Sequence, residues 1–384
     1  MKFLHTADWH LGKPLKGRSR LSEQEQVLAE ILDLARRESV DCLLVSGDLF
    51  DSYIPPPEAE RLVFNFLAEL VGRGIAAVII GGNHDHPKRL AALRQLLDPL
   101  RVYIRPEPAR PQDGGVLELG RDGEIARIAV LPFVPERKVV DFSKLLGPEE
   151  GWHEQYGDRV SRMCELLTAG FSSSTINLLV AHLYLHGAAT SGSERAIHVA
   201  QPYAVSAARL PPTAHYVALG HLHRPQEIAA PSRTVYAGSP LQLDFGEQGQ
   251  QKRVVLVEAR PGRPARIESL PLASGRRLRS IQGALAEIEA RAADFGDDFL
   301  QVTVLTEGPA PGVSDRIREL LPNALDVRIE YPKGESPDQS AALRNLPPEE
   351  IFRQYYESHN SAPPPQALTA LFRQLYEEEL RAAD

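Results

Sequence analysis

Carboxylate, amide and imidazole side chains that could bind metal ions occur in four short motifs of the sequence. The motifs are Asp8-Trp9-His10, Gly47-Asp48, Gly82-Asn83-His84-Asp85, and His182 with Gly220-His221-Leu222-His223. The candidate ligands are Asp8, His10, Asp48, Asn83, His182, His221 and His223. This set exceeds what one four-coordinate ion needs, so it predicts two five- or six-coordinate ions that share a bridging carboxylate. Nitrogen and oxygen donors without a thiolate favour manganese, iron or zinc over calcium or magnesium.

The weight of these motifs comes from their combination. An isolated Asp-x-His pair is common by chance, a lone histidine at the end of a strand usually has a structural role, and Gly-Asp marks a turn. Each motif, however, follows a predicted strand, and in α/β sheets the carboxyl ends of the strands form the ligand site. The glycines before Asp48, Asn83 and His221 allow sharp turns and close approach of the backbone.

Short apolar runs alternate with helical patterns over about the first 260 residues, which predicts an α/β domain. The predicted strands are 2–6, 41–46, 75–80, 125–131, 176–181, 215–219 and 253–258. The predicted helices are 22–37, 57–73, 87–97 and 158–169. Side chains two residues apart in an extended segment point the same way. We therefore expect Asp8 and His10 to grip one ion, and His221 and His223 to act as a second such pair.

The remaining chain reads as two further parts. Helix 284–293, strand 299–305, helix 314–321 and strand 326–330 predict a small α+β domain, and 332–344 reads as a linker. Two amphipathic helices follow, separated by Ser361-Ala362-Pro363-Pro364-Pro365. The predicted domains are thus 1–270, 271–335 and 336–384. Six arginines between 260 and 279 could contact phosphates, but we favour an interdomain linker for this stretch.

Composition limits the classes of protein that fit. A formal net charge of −8 argues against a protein that coats nucleic acid through global positive charge, so any DNA contact must come from local basic patches and bound cations. The two cysteines cannot form a disulfide scaffold or a thiolate zinc site, which fits a reducing cytoplasm. No apolar stretch approaches the roughly 20 residues of a membrane helix. We expect a soluble, cytoplasmic protein without membrane contact; association with the nucleoid is implied only by the family resemblance described next.

Taken with Asp51, the motifs resemble those of the calcineurin-like phosphoesterase superfamily. Within it, four stretches resemble the bacterial SbcD nuclease family. They are His5-Thr6-Ala7-Asp8-Trp9-His10-Leu11-Gly12, Ser19-Arg20 with Glu23-Gln24, Gly47-Asp48-Leu49-Phe50-Asp51 with Pro55-Pro56, and Ser191-Gly192-Ser193-Glu194-Arg195. The resemblance covers nearly the whole chain and is weak after about residue 280. It implies a sandwich of two mixed β-sheets flanked by helices, followed by a small α+β capping domain and a C-terminal helical tail.

The resemblance also implies roles for the site residues. Asp8, His10, Asp48 and His223 would hold one metal, and Asp48, Asn83, His182 and His221 the other. His84 would protonate the leaving oxygen or steady the phosphate charge. Asp85 would orient His84 or a neighbouring loop, and an ordinary turn role for it is equally supported. The family implies manganese as the cofactor, with magnesium, iron or zinc as alternatives.

Partners follow from the same resemblance. It implies a nuclease for duplex 3′ ends, single strands and hairpins, acting as a homodimer within a heterotetramer with an SbcC-like coiled-coil ABC-type ATPase, in DNA repair, recombination and replication. A basic loop beside the first motif could guide DNA, through Lys13, Lys16, Arg18 and Arg20. The tail helices would bind the ATPase through aromatic anchors, namely Phe352, Tyr355, Tyr356, Phe372 and Tyr376.

Two other functions remain open at this point. A calcineurin-like phosphodiesterase or phosphatase for small substrates would use the same metal site, but it would need neither the small domain nor a partner-binding tail. A scaffold that kept the fold and lost the chemistry would usually lack metal ligands, and none of the expected ligands is missing here.

Overall fold

A computed structural model describes residues 1–146, 156–194, 203–332, 346–360 and 363–383. The strands are β1 (Lys2–Thr6), β2 (Cys42–Val45), β3 (Ala76–Ile80), β4 (Val102–Arg105), β5 (Val116–Arg121), β6 (Glu124–Leu131), β7 (Ile176–His182), β8 (Tyr216–Gly220), β9 (Gln226–Ile228), β10 (Thr234–Tyr236), β11 (Arg253–Arg260), β12 (Arg263–Pro271), β13 (Leu278–Ala284), β14 (Phe299–Leu305) and β15 (Ala324–Glu330). The helices are α1 (Leu21–Arg37), α2 (Pro57–Gly72), α3 (Pro87–Ala91), α4 (Arg94–Leu97), α5 (Glu136–Leu146), α6 (Tyr156–Thr168), α7 (Leu285–Ala290), α8 (Val313–Leu320), α9 (Pro348–Asn360) and α10 (Gln366–Ala383).

Two mixed six-stranded sheets form the main body. The first has the order β12-β11-β1-β2-β3-β4, and the second has the order β5-β6-β7-β8-β10-β9. Strands β1, β2 and β3 run parallel to one another, as do β6, β7 and β8. This arrangement brings the carboxyl ends of β1, β2 and β3 to one edge of their sheet, and those of β7 and β8 to one edge of the other.

Apolar side chains fill the space between the sheets and beneath the helices. The layer between the sheets includes Phe3, Leu44, Val78, Ile128 and Leu178, all fully buried. Each such side chain contributes about 1.5–3 kcal/mol on burial. Separate clusters lie under α1 and α2 on the first sheet and under α5 and α6 on the second. The predicted sandwich of two mixed sheets flanked by helices is confirmed.

Helix α2 begins where the sequence predicts a helix. Pro57 occupies its first turn, where a missing N–H costs nothing. The predicted single helix 87–97, by contrast, is two short helices, α3 and α4. Only Leu90 is buried in this pair, so packing supplies little to hold one continuous helix.

The stretch interpreted as an arginine-rich linker is mostly a strand. Residues of β12 pair antiparallel with β11, from Arg253 opposite Pro271 to Arg260 opposite Arg263. The linker interpretation of 260–279 was wrong for these residues, which form an edge strand. Ala265 packs between the sheets and Leu270 packs on the opposite face, whereas Arg263 and Arg266 are exposed.

A third sheet, in the order β13-β14-β15, carries α7 and α8. Its core includes Ile288, Phe295, Val302 and Ile317. The predicted helix–strand–helix–strand pattern is present here, preceded by β13, which the sequence pattern did not reveal.

The chain divides into two compact units, Met1–Val304 with Gly312–Arg328, and Leu305–Pro311 with Ile329–Asp384. The second unit contains α9 and α10, where the Phe352 and Phe372 rings stack 4.4 Å apart. The linker predicted at 332–344 lies almost wholly outside the described residues. The limits 1–270, 271–335 and 336–384 stay a prediction. No helix in the described part of the chain is both long and apolar enough to cross a membrane.

Candidate metal centre

The predicted ligands converge where the carboxyl ends of the strands from both sheets meet. Backbone hydrogen bonds join the loops that carry them: the Asp8 amide donates to the Gly47 carbonyl at 3.0 Å, and the His10 amide to the Asp48 carbonyl at 3.1 Å. The amide of His221 donates to the Asp8 carboxylate at 2.9 Å and thereby links the two sheets. All seven predicted ligands are buried in this one cluster.

The local conformation of the ligand loops differs from the prediction. Asp8 and His10 have φ values of 52° and 46°, and Asp48 and His221 have φ values of 52° and 102°. The prediction that an extended segment turns Asp8 and His10 the same way was therefore wrong. These residues lie beyond the ends of their strands, in left-handed turns that L-residues rarely adopt.

Four of the predicted ligands form one tight group of donor atoms. Asn83 Oδ1 lies 3.0 Å from both His182 Nε2 and His221 Nδ1, and these two nitrogens are 3.3 Å apart. Asp48 Oδ2 lies 3.5 Å from His182 Nε2. Donors at right angles around a cation, each about 2.1 Å away, would be about 3.0 Å apart. The spacing fits neighbouring ligands of one ion.

The proton positions in this group also favour a cation. His182 Nδ1 lies 2.8 Å from the Ser46 carbonyl oxygen, which only accepts, so Nδ1 carries the proton. Burial lowers the pKa of His182, although the Asp48 charge acts in the opposite direction. In the neutral ring Nε2 therefore carries no proton, and its lone pair faces the side-chain oxygen of Asn83. Two facing lone pairs repel unless a cation lies between them.

The other group centres on His10 and shows the same feature. His10 Nδ1 lies 3.2 Å from the Asp51 carboxylate, to which it donates. Its Nε2 is buried, has no hydrogen-bond partner among the described residues, and lies 3.6 Å from Asp48 Oδ2. Burial lowers the pKa of His10 to about 4, so the ring is neutral. The ring of His223 lies 4.8 Å from that of His10. This side of the cluster fits a second cation.

Two buried carboxylates lie at the centre. Donor atoms of Asp8, Asp48 and His182 lie within 4.8 Å of one another, as do those of His10, Asp48 and His84, so Asp48 is common to both groups. Burial and the Asp48 charge raise the pKa of Asp8 well above its usual range. Burial would also raise the pKa of Asp48, but the neighbouring histidines hold it low. Ionising both carboxylates together requires positive charge, which divalent ions supply.

His84 lies against this cluster and is held by a residue outside the predicted site. Its Nδ1 donates to the Asp51 carbonyl oxygen at 2.6 Å, and its amide donates to Asp48 at 2.8 Å. This leaves Nε2 as the ring nitrogen that can exchange a proton. Asp51 thus holds His10 through its carboxylate and His84 through its carbonyl. It belongs to the resembling motif, and that was the signal from which this role could have been found.

Asp85 binds loops rather than reacting groups. Its buried carboxylate accepts hydrogen bonds from the amides of Leu49, Phe50 and Gly82, at 3.2, 3.1 and 2.9 Å. Burial and the Asp48 charge raise the pKa of Asp85 to about 7. Of its two predicted roles, orienting His84 or fixing a neighbouring loop, these contacts fit the second. A catalytic role for Asp85 stays a prediction.

The residues that surround His223 had no role in the predicted site. Ser193 Oγ lies 2.7 Å and Glu247 Oε1 3.2 Å from His223 Nδ1, and the Lys252 ammonium lies 2.6 Å from Glu247. Ser193 and Glu194 belong to the run that resembles the SbcD family, whereas Arg195 lies outside the described residues. Glu247 and Lys252 carried no motif signal.

The basic side chains of the predicted DNA-binding loop differ in how strongly they pair with other groups of the protein. Lys13 forms an ion pair with Asp51 at 2.9 Å, which ties it to the metal centre. Lys16 pairs with Asp326 at 3.5 Å, and both side chains are partly exposed. Pairs of this kind are weak in water, so a phosphate could replace the carboxylate.

Arg18 and Arg20 instead contact Phe299 of β14. Their guanidinium carbons lie 5.2 and 5.6 Å from its ring centre. The Arg20 side chain is 3% exposed and forms an ion pair with Glu23 at 2.8 Å. It also donates to the Gln242 carbonyl. The prediction that Arg20 contacts DNA does not fit this burial, because its donors already bind protein.

The predicted partner-binding aromatics fall into two sets within the second unit. Phe352 and Phe372 stack on each other and join α9 to α10, with Tyr356 6.2 Å from Phe352. Tyr355 is 62% exposed and Tyr376 is 41% exposed. The first set holds the helix pair together, and the second lies on its surface.

Comparison with known proteins agrees with this geometry. Residues 1–225 match the family model of the calcineurin-like phosphoesterases, and residues 274–360 match the type 5 capsule protein repressor C-terminal domain. The SbcD subunit of the SbcCD nuclease from Bacillus subtilis is 33% identical over 98% of this chain and 97% of its own. That of Rhodobacter capsulatus is 36% identical over 71% of this chain and 69% of its own. That of Escherichia coli K12 is 29% identical over 92% of each. The chain is a phosphodiesterase hydrolase that belongs to the calcineurin-like phosphoesterases and, within them, to the SbcD family of SbcCD nuclease subunits.

Proposed function

We propose that the chain is a manganese-dependent DNA nuclease that degrades duplexes from their 3′ ends and cuts single strands and hairpins. The observation that carries this proposal is the pair of donor groups sharing Asp48, in which unprotonated lone pairs of His10 and His182 face oxygens. Magnesium, iron and zinc are alternatives to manganese, because the same nitrogen and oxygen donors accept them. When bound, two such cations supply an activated water and offset the negative charge of the phosphodiester.

The chain's own residues supply positioning and a proton. His84 Nε2 gives the proton to the departing sugar oxygen, while the hydrogen bond from Nδ1 to the Asp51 carbonyl keeps the ring in place. Asp85 accepts hydrogen bonds from the Gly82 and Leu49 amides and so holds together the loops that carry Asn83 and Asp48. No covalent bond to the enzyme forms in this scheme.

For DNA contact we propose Lys13, Lys16 and Arg18, whose loop follows the His10 ligand directly. The net charge of −8 restricts binding to such local positive charge together with the bound cations. Arg20 is left out of this surface, since it is buried and paired.

We further propose that the chain works as a homodimer bound to an SbcC-like ATPase in a heterotetramer, in the cytoplasm near the nucleoid, in repair, recombination and replication of DNA. The relatives are named as one subunit of SbcCD, which supports a second, partner protein. The exposed Tyr355 and Tyr376 support α9 and α10 as its docking surface, because aromatic side chains of this kind anchor interfaces.

The test uses an end-labelled DNA duplex and a small chromogenic phosphodiester, each with added Mn²⁺. We expect the wild-type chain to degrade the duplex and Asp48→Ala to abolish both activities. His84→Ala should retain Mn²⁺ and DNA binding while cleavage falls by about 10²–10⁴-fold.

Two outcomes contradict the proposal in different ways. Intact cleavage by His84→Ala would remove the assigned proton donor. If the wild-type chain hydrolyses only the small ester, the experiment is repeated with an SbcC-like ATPase added. Continued failure on DNA would favour a small-substrate phosphodiesterase instead.

A further inference from the structure

We infer that Glu247, acting with Ser193 and Lys252, is a positioning residue that fixes the proton of His223 on Nδ1 and so prepares Nε2 to bind a cation. The inference rests on the proposed two-cation site and concerns residues that neither the motifs nor the comparisons assign. Its basis is a chain of buried hydrogen bonds behind His223.

The hydrogen bonds in this chain have a defined direction. Ser193 Oγ donates to Glu247 Oε1, because an ionised carboxylate only accepts. The same hydroxyl oxygen, 2.7 Å from His223 Nδ1, is then free to accept the ring proton, and Glu247 Oε1 lies 3.2 Å from that nitrogen. Both neighbours of Nδ1 therefore act as acceptors, and only the ring form protonated on Nδ1 satisfies them.

Lys252 keeps Glu247 in the ionised form on which this direction depends. Its ammonium lies 2.6 Å from Glu247 Oε2, and Glu247 is fully buried. The Lys252 ammonium also donates to the His223 carbonyl and to Ser239 Oγ, both at 2.9 Å. The pair thus holds the backbone of His223 as well as its ring. Glu194 completes the support by accepting the His223 amide proton at 3.1 Å.

Removing the Glu247 carboxylate should reverse the direction of the hydrogen bond between Ser193 and His223. Without Glu247 the Ser193 hydroxyl can turn and donate to Nδ1, which stabilises the ring form protonated on Nε2. That form cannot bind a cation through Nε2. Carboxylates that hold metal-binding histidines in this way typically change metal affinity 10- to 100-fold when they are removed.

The test compares wild type with Glu247→Met/Lys252→Met, which replaces the buried ion pair by apolar side chains of similar length and leaves no unpaired charge. Glu227→Met/Arg233→Met, which removes an exposed pair 2.6 Å apart, is the matched control. Mn²⁺ binding is measured by titration calorimetry. In the metal-free protein, histidine-selective ¹⁵N NMR reports which nitrogen of His223 carries the proton.

We expect one of two Mn²⁺ ions to bind 10- to 100-fold more weakly in the Glu247→Met/Lys252→Met variant, with the other unchanged. We also expect the His223 proton to move from Nδ1 towards Nε2, while the control matches wild type. Unchanged Mn²⁺ affinity, or an unchanged His223 ring form, overturns the inference. If the variant does not fold, Glu247→Gln is measured in its place, and failure of both to fold assigns the pair to the fold and overturns a positioning role. If wild type binds no Mn²⁺, the proposed function fails instead.

Discussion

Gly82 offers a direct test of how closely the loops must approach at the metal centre. A Cβ added at this residue would lie 2.1 Å from Asp48 Oδ1 and 2.4 Å from the Asp48 amide nitrogen. Gly82, unlike Gly47, does not have a positive φ. The Gly82→Ala substitution therefore perturbs the centre through space alone, and the carboxylate that it displaces is the one common to both donor groups.

The size of the effect follows from these distances. Ordinary van der Waals contact begins at 3.4 Å. Asp48 must therefore retreat from Cβ by roughly 1.3 Å, whereas a metal site tolerates about 0.2 Å. Overpacking of this kind costs about 1–3 kcal/mol of folding free energy, which a domain of this size can absorb. A misplacement of about 1 Å can cost about 10²-fold in rate.

We expect Gly82→Ala to remain folded, to lose measurable Mn²⁺ binding at one or both sites, and to hydrolyse a chromogenic phosphodiester at least about 100-fold more slowly. Gly72→Ala is the matched control, since nothing lies within 4 Å of its added Cβ. Calorimetric Mn²⁺ titration and steady-state hydrolysis measure both effects. A Gly82→Ala protein with Mn²⁺ affinity and rate within about twofold of wild type would refute the assignment of Asp48 as a shared ligand.

Two further predictions concern stability. Burial lowers the pKa of His5 from 6.5 to about 3, so between these values the unfolded chain takes up a proton that the folded chain does not. Stability should therefore fall as pH drops from 6.5 towards 3. The free energy of unfolding is measured by urea denaturation of the metal-free protein at several pH values. In His5→Gln its slope against pH should be shallower than in wild type by up to about 1.4 kcal/mol per pH unit, and equal slopes would contradict the burial argument. Arg20→Met should lower the free energy of unfolding by about 3 kcal/mol, because it leaves Glu23 without its buried partner. Arg37→Met, which removes an exposed pair with Glu38, should change it by less than about 0.5 kcal/mol, and an equal effect of the two would exclude a structural role for Arg20.

The strands that were predicted from the sequence are those in the middle of the sheets. Strands β1, β2, β3, β7 and β8 are buried along almost their whole length, so they appear as continuous apolar runs. The strands that were missed include edge strands such as β9 and β12, where few side chains are fully buried. A strand that is paired on one side only needs no apolar run, and its pattern resembles that of a loop.

The site could be predicted as a set of residue types but not as a set of contacts. The seven candidate ligands were predicted because each belongs to a motif, and the structure brings them into one buried cluster. Glu247 and Lys252 were not, because a lone acid and a lone base in a polar stretch have no spacing that marks them. Arg20 shows the converse: its position in a basic loop predicted DNA contact, whereas Glu23, three residues later, binds it inside the protein.

The left-handed turns at the ligands connect local conformation to function. Asp8, His10, Asp48 and His221 all have positive φ, although none is a glycine. A left-handed conformation costs an L-residue about 1–2 kcal/mol, and such strain persists only where the surrounding structure imposes it. Glycine at these positions would relieve the strain but would remove the donor atoms. The strain is therefore the consequence of bringing side chains from two sheets to one point. Four of the eight non-glycine residues with positive φ in the described part of the chain are candidate ligands, and this concentration supports a metal centre here.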